Sequence, residues 1–290
     1  MTSGSGGVLR FQWGRRSLRV FLTHTLAAFG LLSGVVQLTA QVFSLTFSTP
    51  LLVITATVGM SAAWGVAQIL PQGTSERSFS HPNMRVRIVP GDLFEQSGHI
   101  VVGFTDTFDT CVTDDVVISR SSVQGQLLER WYAGAQDELD QEISDALASH
   151  SVTSVESRAD KPQGKLARYP TGTTIVLTRN GRMAFGPAYS RMGNNLVAES
   201  NPERIWVSLC RLWETVYEHG HREPLAIPVI GGALGRIDTL SHENLLKMIL
   251  LSFAAASRGR VVTRELTVVV HPAALRDINM LEIRHFLMAL

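Results

Sequence analysis

The stretch LAIPVIGGALGR, residues 225–236, decides the fold because it joins a strand-like apolar run to a glycine-rich loop. Three glycines fall within five residues, and a helical pattern resumes at about Ser241. A strand, a glycine loop and a helix in this order present backbone N–H groups and a helix N-terminus to a phosphate. A tight turn without a ligand fits this stretch alone equally well, so a phosphate site needs support from the rest of the chain.

Composition excludes some classes of function. The 290 residues suggest one or two domains, and a net charge of +1 with only 18% charged residues provides no basic field for nucleic acid. We therefore expect no nucleic-acid partner. The two cysteines, Cys111 and Cys210, form neither a CxxC motif nor a zinc-type spacing, so we expect reduced thiols in a cytosolic domain.

A long uncharged region predicts two membrane-spanning helices. No Asp, Glu, Lys or Arg occurs in residues 20–75. Two apolar segments, residues 20–43 and 50–70, are each long enough to cross a hydrocarbon core, which needs about 20 residues of helix. A cleaved signal peptide and a buried hairpin of a soluble core are the alternatives. A second span that follows at once argues against the first alternative, and the lack of a polar face argues against the second.

Basic residues on both sides of this hairpin predict its orientation. Residues 1–19 form a basic N-terminal segment with four arginines, and the second span is followed by Arg77, Arg85 and Arg87. Basic flanks remain on the cytoplasmic side, so both termini are expected in the cytoplasm.

Small and polar residues inside the two spans predict that they associate. The small residues include Gly30-x-x-x-Gly34 in the first span and Gly59, Ala62, Ala63 and Gly65 in the second, and the polar ones are His24, Gln37 and Gln41. Small residues let membrane helices approach closely, and polar side chains at membrane depth face protein or water. A homo-oligomer is the expected result.

The rest of the chain predicts an α/β domain with a mixed sheet flanked by helices. Residues 71–83 are polar with two prolines and are interpreted as a linker, and the domain is expected over residues 84–290. Strand and helix patterns alternate in its second half. Asn180-Gly181 predicts a hairpin turn, and the apolar periodicity of residues 202–219 predicts a helix. Trp131, Tyr132, Trp206 and Trp213 are interpreted as core residues.

The chain carries, in order, Gly91-Asp92-Leu93, Gly125 with residues 133–139, residues 164–172 and residues 227–235. Together these motifs resemble those of macro domains, the fold that binds ADP-ribose and its derivatives. Gly91-Asp92-Leu93 is similar to the family's G-D-[IL] element, and residues 164–172 (GKLARYPTG) resemble its G-x-A-x-x-T-x-G turn. Gly125 with residues 133–139 is similar to the helix after the first binding loop. Residues 227–235 (IPVIGGALG) resemble the second binding loop, [FI]-P-x-I-x-[GT]-G-x-x-G.

The resemblance implies a ligand, an ADP-ribose derivative, and a set of binding residues; it implies no cofactor. Asp92 matches the residue that accepts a hydrogen bond from the adenine amino group, although a turn-capping aspartate is the alternative. The second loop would cradle the diphosphate with its N–H groups, and Arg236 would add a charged contact. The full set of candidate binding residues is Asp92, Leu93, Thr105, Asp106, Gln124, Gly125, Gly231, Gly232, Ala233, Leu234, Gly235 and Arg236.

Two departures from the macro pattern argue against catalysis. The family's asparagine pair is replaced by Gly103-Phe104-Thr105-Asp106, and the glycine run of the first loop by residues 121–125 (SSVQG). Macro domains that hydrolyse ADP-ribosyl esters use those groups to place water and the distal ribose. We therefore expect binding without hydrolysis, with no catalytic or metal residues.

The combination of two spans and a divergent macro domain resembles the membrane effectors of type II Thoeris anti-phage systems. The resemblance implies an inner-membrane protein that senses an ADP-ribose-derived signal, made from NAD by a TIR-domain partner. The signal would trigger oligomerisation, membrane disruption and cell death. A membrane-anchored ADP-ribosyl hydrolase is the alternative.

Overall fold

The computed structural model describes residues 15–44, 49–69, 74–230 and 240–290. The chain divides into two compact units. One holds the two N-terminal helices, and the other holds most of the described chain from Thr74 onward, which forms the α/β fold.

The first unit consists of α1 (Arg15–Val42) and α2 (Pro50–Ile69), both long and apolar enough to cross a membrane. A close approach at Gly65 joins them: a Cβ added there would lie 2.0 Å from Thr25 Oγ1. Ser61 and Thr57, one and two turns earlier on the same face of α2, are buried, and their hydroxyls donate to carbonyls of the helix itself. The predicted role of small residues is therefore seen at Gly65. At Gly30, Gly34 and Gly59 an added Cβ would meet no described atom within 4 Å.

The α/β unit contains eleven strands and five helices among its described residues. The strands are β1 (Ser75–Ser80), β2 (Asn83–Pro90), β3 (His99–Val101), β4 (Phe104–Thr105), β5 (Ser154–Val155), β6 (Ala167–Arg168), β7 (Thr174–Arg179), β8 (Arg182–Met192), β9 (Ala198–Glu199), β10 (Leu225–Pro228) and β11 (Glu265–Val270). The helices are α3 (Val123–Tyr132), α4 (Gln136–Leu147), α5 (Pro202–His219), α6 (His242–Ser257) and α7 (Met280–Ala289).

Nine of these strands form one mixed sheet in the order β1-β2-β11-β10-β3-β8-β4, with β7 and β9 also paired to β8. Parallel pairing connects the neighbouring strands β2, β11, β10, β3 and β8. Antiparallel pairing connects β1 to β2, and β7 and β9 to β8. The central strands are apolar and covered on both faces, as in β11, where all residues from Leu266 to Val270 are buried. The prediction of a mixed sheet flanked by helices is confirmed.

Helix α5 shows how the helices cover this sheet. Asn201 caps its N-terminus by accepting from Arg204 N–H at 2.8 Å, and its apolar stripe is buried. Trp213 is fully buried, donates to Ser252 Oγ of α6 at 3.0 Å and stacks edge-on against Phe253. Trp206, expected in the core, is 37% exposed. Contacts with Ser252 and Phe253 of α6 bury Trp213, seven residues after Trp206 on the same helix.

The predicted linker, residues 71–83, contains a strand. Residues 75–80 (SERSFS) form β1, which pairs with β2 from Ser75↔Ile88 to Ser80↔Asn83. The linker interpretation is thus corrected over these residues. An edge strand with charged side chains carries little apolar pattern, so its sequence is easily mistaken for a loop.

Candidate functional site

The candidate site lies where the parallel strands end. The carboxyl ends of β2, β11 and β10 meet at one edge of the sheet, and Gly91 N–H donates to the last carbonyl of β11, Val270 O, at 3.1 Å. Ligands of open α/β sheets bind at such an edge. Six predicted binding residues in the loop after β10 lie outside the described residues: Gly231, Gly232, Ala233, Leu234, Gly235 and Arg236.

Asp92 follows β2 at this edge and is held from two sides. Its Oδ1 accepts from Phe94 N–H at 2.8 Å, capping the short 3₁₀ turn Leu93–Glu95, and its Oδ2 lies 2.7 Å from Arg130 Nη2. The side chain is 28% exposed, and the Arg130 guanidinium also lies over the Phe94 ring. This geometry is that of a turn-capping aspartate, which is the alternative interpretation of Asp92. A carboxylate offers about four lone-pair sites, so acceptor capacity remains at the open side.

The side chain of Leu93 faces the protein interior. It is 5% exposed and belongs to the same hydrophobic cluster as Leu127 and Leu128 of α3. Phe104 and Phe108 are fully buried in this cluster with ring centroids 5.5 Å apart. They fill the core.

Thr105 and Asp106 begin a buried polar loop that follows β4. The Asp106 carboxylate accepts from Arg168 Nη1 at 2.8 and 3.0 Å and from Met192 N–H at 2.8 Å, and its side chain is 8% exposed. Thr105 Oγ1 lies 3.2 Å from Thr107 Oγ1. The polar groups of these two predicted binding residues are thus used inside the protein.

Two further residues, Asp109 and Lys161, form a fully buried ion pair in the same loop region. Lys161 Nζ lies 2.9 Å from Asp109 Oδ2 and also donates to Lys165 O at 2.5 Å. Asp109 accepts in addition from Thr107 Oγ1 at 2.5 Å and from the Lys165 N–H. A buried carboxylate with an ammonium and two further donors is well compensated. The pair fastens residues 105–110 to residues 161–165.

Gln124 and Gly125, at the start of α3, complete this loop cluster. Gln124 Nε2 donates to Asp109 O, and Gly125 N–H donates to Ser122 Oγ, the helix cap, at 3.0 Å. A Cβ on Gly125 would lie 2.4 Å from Ser119 O, so the preceding loop packs directly on the helix backbone. The structure explains both residues through packing of this loop.

Electrostatics keep the ionic groups of the cluster charged. Burial by itself would raise the pKa of Asp140, but hydrogen bonds from Lys165 and Thr110 outweigh it and hold that pKa below its ordinary value. Burial likewise opposes the charge of Arg168, yet its hydrogen bonds to Glu156 and Asp106 leave the pKa of the guanidinium raised. These contacts join side chains many residues apart.

Helix α3 therefore connects two groups of predicted residues. Its N-terminal turn carries Gln124 and Gly125 in the loop cluster, and its last turn carries Arg130, which binds Asp92. Sequence reasoning identified the resembling segments but missed Asp109, Lys161 and Arg168 as partners. Asp109 and Lys161 lie in polar loop segments, so nothing in their sequence signals that they are buried.

Comparison with known proteins decides the family. The family model described as "Thoeris protein ThsA, Macro domain" matches residues 86–271. The chain belongs to the ThsA macro-domain family. The matched range starts within β2 and ends just after β11, so it covers the Asp92 edge and the loop cluster.

One relative agrees with this assignment to the ThsA family, and one solved structure shares the fold. Thoeris protein ThsA of Bacillus amyloliquefaciens (strain Y2) is 26% identical over 208 residues, which is 69% of this chain and 67% of the relative. A solved structure of the Oceanobacillus iheyensis macrodomain with ADP has a TM-score of 0.50 at 11% identity, covering 75% of this chain and 99% of that one. The latter shows the fold alone. The resemblance to macro domains is confirmed.

Proposed function

We propose that this chain is a membrane-embedded effector of Thoeris anti-phage defence whose macro domain binds an ADP-ribose derivative. The observation that carries the proposal is a ThsA macro domain at residues 86–271 behind two helices long and apolar enough to span a membrane. In this proposal a TIR-domain partner makes the signal from NAD, and both termini of the chain are cytoplasmic at the inner membrane.

The proposed binding mode places the ligand at the Asp92 edge. The free lone pairs of Asp92 accept the adenine amino group, and the backbone of Leu93 contributes because its side chain is buried. The loop of Gly231–Arg236 cradles the diphosphate with its N–H groups. The loop cluster around Thr105, Asp106, Gln124 and Gly125 acts as a rigid wall.

Binding without hydrolysis is favoured by the burial and internal contacts of the side chains in that loop cluster. The run Gly103-Phe104-Thr105-Asp106 stands in place of the asparagine pair of hydrolytic macro domains, and the Phe104 side chain in it is fully buried. The Asp106 carboxylate is engaged by Arg168 and Met192. A general base needs a side chain within hydrogen-bond reach of the attacking water, and the carboxylates of Asp106 and Asp109 are both buried.

The proposed output, association of the spans and loss of membrane integrity, is supported by one face of α1. Phe21 and Thr25 contact Gly65 of α2. On the other side of α1, small and amide residues recur at alternating steps of four and three and remain at least partly exposed: Thr23, Ala27, Gly30, Gly34, Gln37 and Gln41. Amides at membrane depth need protein partners, and this spacing suits packing against an equivalent helix. A second copy of α1 satisfies both needs.

Calorimetry of the full chain in detergent with ADP-ribose and its conjugates tests the binding proposal. Asp92→Ala should weaken binding by about 1–3 kcal/mol through a lost hydrogen bond. Gly232→Glu should weaken it by about 1–4 kcal/mol through repulsion of the diphosphate. Gly259→Glu is the matched control, because a Cβ there meets no described atom within 4 Å.

Two outcomes contradict parts of the proposal. If Asp92→Ala and Gly232→Glu both fold and bind as tightly as the parent, the site is elsewhere. If the parent turns over its ligand in a product assay, the chain is a membrane-anchored hydrolase.

A further inference from the structure

A cavity of about 460 Å³ lies at the opposite end of the sheet from Asp92. Three arginines and one glutamate are its charged lining residues: Arg85, Arg222, Arg264 and Glu265. The length of β11 separates this cavity from the Asp92 edge, a distance of roughly 20 Å at the usual rise per residue. It is therefore a different site from the one proposed above.

Sheet topology brings the three arginines together. They lie at the amino-terminal ends of the neighbouring parallel strands β2, β11 and β10. Arg85 N–H donates to Arg264 O at 2.8 Å, and Arg264 N–H donates to Arg222 O at 3.2 Å. These backbone bonds fix the arginines in one row across the sheet.

The charge of this row is only partly balanced within the protein. Arg85 Nε lies 3.3 Å from Glu76, and Glu265 is held at 3.0 Å by Arg87. Among the described residues, no ion pair or side-chain hydrogen bond involves the exposed guanidinium of Arg222 or Arg264. The register places Glu265 opposite Arg85, with 3.8 Å between Arg85 Nη1 and the Glu265 carboxylate, so Arg222 and Arg264 are the cavity arginines without a described acidic partner.

The backbone at Arg222 adds a second sign of a specific role. Its φ is 62°, in the left-handed region that a residue with a Cβ rarely adopts. Strained conformations of this kind persist where the surrounding structure fixes them, and they cluster at ligand sites. Arg222 lies in the turn that precedes β10 and lines the cavity.

We propose that this cavity binds a phosphate group. The planar guanidinium group of arginine binds phosphate oxygens through two parallel N–H donors. The guanidinium groups of Arg222 and Arg264, beside Arg85, therefore suit one phosphate or a pyrophosphate. Asn83 and Ser78 line the same cavity and supply further polar groups. A soluble phosphate compound and the headgroup of an anionic lipid share this chemistry.

Calorimetry with pyrophosphate as the probe tests the site in the full chain, reconstituted in nanodiscs of phosphatidylcholine. The Gly232→Glu variant serves as background, since it disables the proposed diphosphate loop at the other edge. In this background, Arg222→Gln and Arg264→Gln should each weaken pyrophosphate binding about tenfold. The matched control removes the same charge elsewhere, through Arg191→Gln and Arg211→Gln, and should bind like the background protein.

The outcomes separate the alternatives. The proposal is supported if pyrophosphate binds saturably to the background protein and only the cavity variants lose this binding. It is overturned if pyrophosphate does not bind saturably, or if the control variant loses as much affinity as the cavity variants. Nanodiscs of phosphatidylglycerol distinguish the two phosphate sources, because a lipid headgroup in the cavity would lower the pyrophosphate affinity and a soluble ligand would leave it unchanged. The cavity variants made in the parent chain should retain ADP-ribose binding at the opposite edge, so failure of either site is seen independently.

Discussion

Removing the ammonium of Lys161 should destabilise the α/β unit more than any change to a surface ion pair. Lys161 and Asp109 are both fully buried, so Lys161→Met leaves a charged carboxylate without its cation. Breaking a buried pair from one side costs about 3–5 kcal/mol. Asp109 retains its hydrogen bonds from Thr107 and from the Lys165 N–H, so the expected loss of stability lies at the lower end of this range, about 3 kcal/mol.

Thermal unfolding of the full chain in detergent, followed by intrinsic fluorescence, measures this loss. For a domain of this size about 3 kcal/mol corresponds to a drop in Tm of about 10 °C. Arg211→Met is the control, because the Arg211–Glu214 pair is exposed at 65% and 48% and its loss should cost no more than about 1 kcal/mol.

A double-mutant cycle shows whether the charge itself is responsible. Asp109→Asn keeps an acceptor for the Lys165 N–H but carries no charge that needs an ammonium. The double variant should therefore be more stable than Lys161→Met alone, with a coupling energy of about 1–3 kcal/mol. If Lys161→Met unfolds like the Arg211→Met control, the pair does not hold the loop cluster and the reasoning fails.

Two further predictions concern pH and the membrane helices. The pKa of Asp140 is held below its ordinary value of 3.8 by Lys165, so its stabilising contribution is complete above that value and disappears as the pH falls through the lowered one. Lys165→Met should thus lower the free energy of unfolding by up to about 1 kcal/mol at pH 7 and make its fall with decreasing pH less steep. Stability curves of parent and variant that run parallel over this pH range would contradict this. Gly30→Leu should preserve the hairpin and nucleotide binding but abolish nucleotide-dependent dye release from liposomes, whereas Gly65→Leu should disrupt the hairpin itself, since a Cβ at Gly65 meets Thr25. Dye release that persists in Gly30→Leu, or after deletion of residues 1–75, would contradict the effector proposal.

Local patterns were sufficient for most elements of the fold. Pro202, the apolar spacing of Ile205 and Leu209, and the stop at Gly220 predicted α5 with the bounds that the structure gives it. Asn180-Gly181 predicted the β7–β8 hairpin, whose register closes at Arg179↔Arg182. Such signals are local, so they can be recognised without knowledge of the tertiary structure.

Features that depend on distant partners were not predictable. Asp109 and Lys161 are 52 positions apart, and neither shows a sequence pattern that marks it as buried. The contact of Asp92 with Arg130 likewise needs α3 to be in place. The sequence therefore predicted which segments form the candidate edge, but it did not predict how their side chains are engaged.

The pairing of β1 with β2 has a mechanical consequence. Chain residues 70–74 are all that separate the end of α2 at Ile69 from the start of β1 at Ser75. A force directed along β1 acts on all of its backbone hydrogen bonds to β2 at once. A force directed across the strand breaks these hydrogen bonds one pair at a time, beginning at Ser75↔Ile88. The first pair to peel lies two residues before the end of β2, next to Asp92. A load across β1 therefore separates first the strand end that lies nearest to the candidate site.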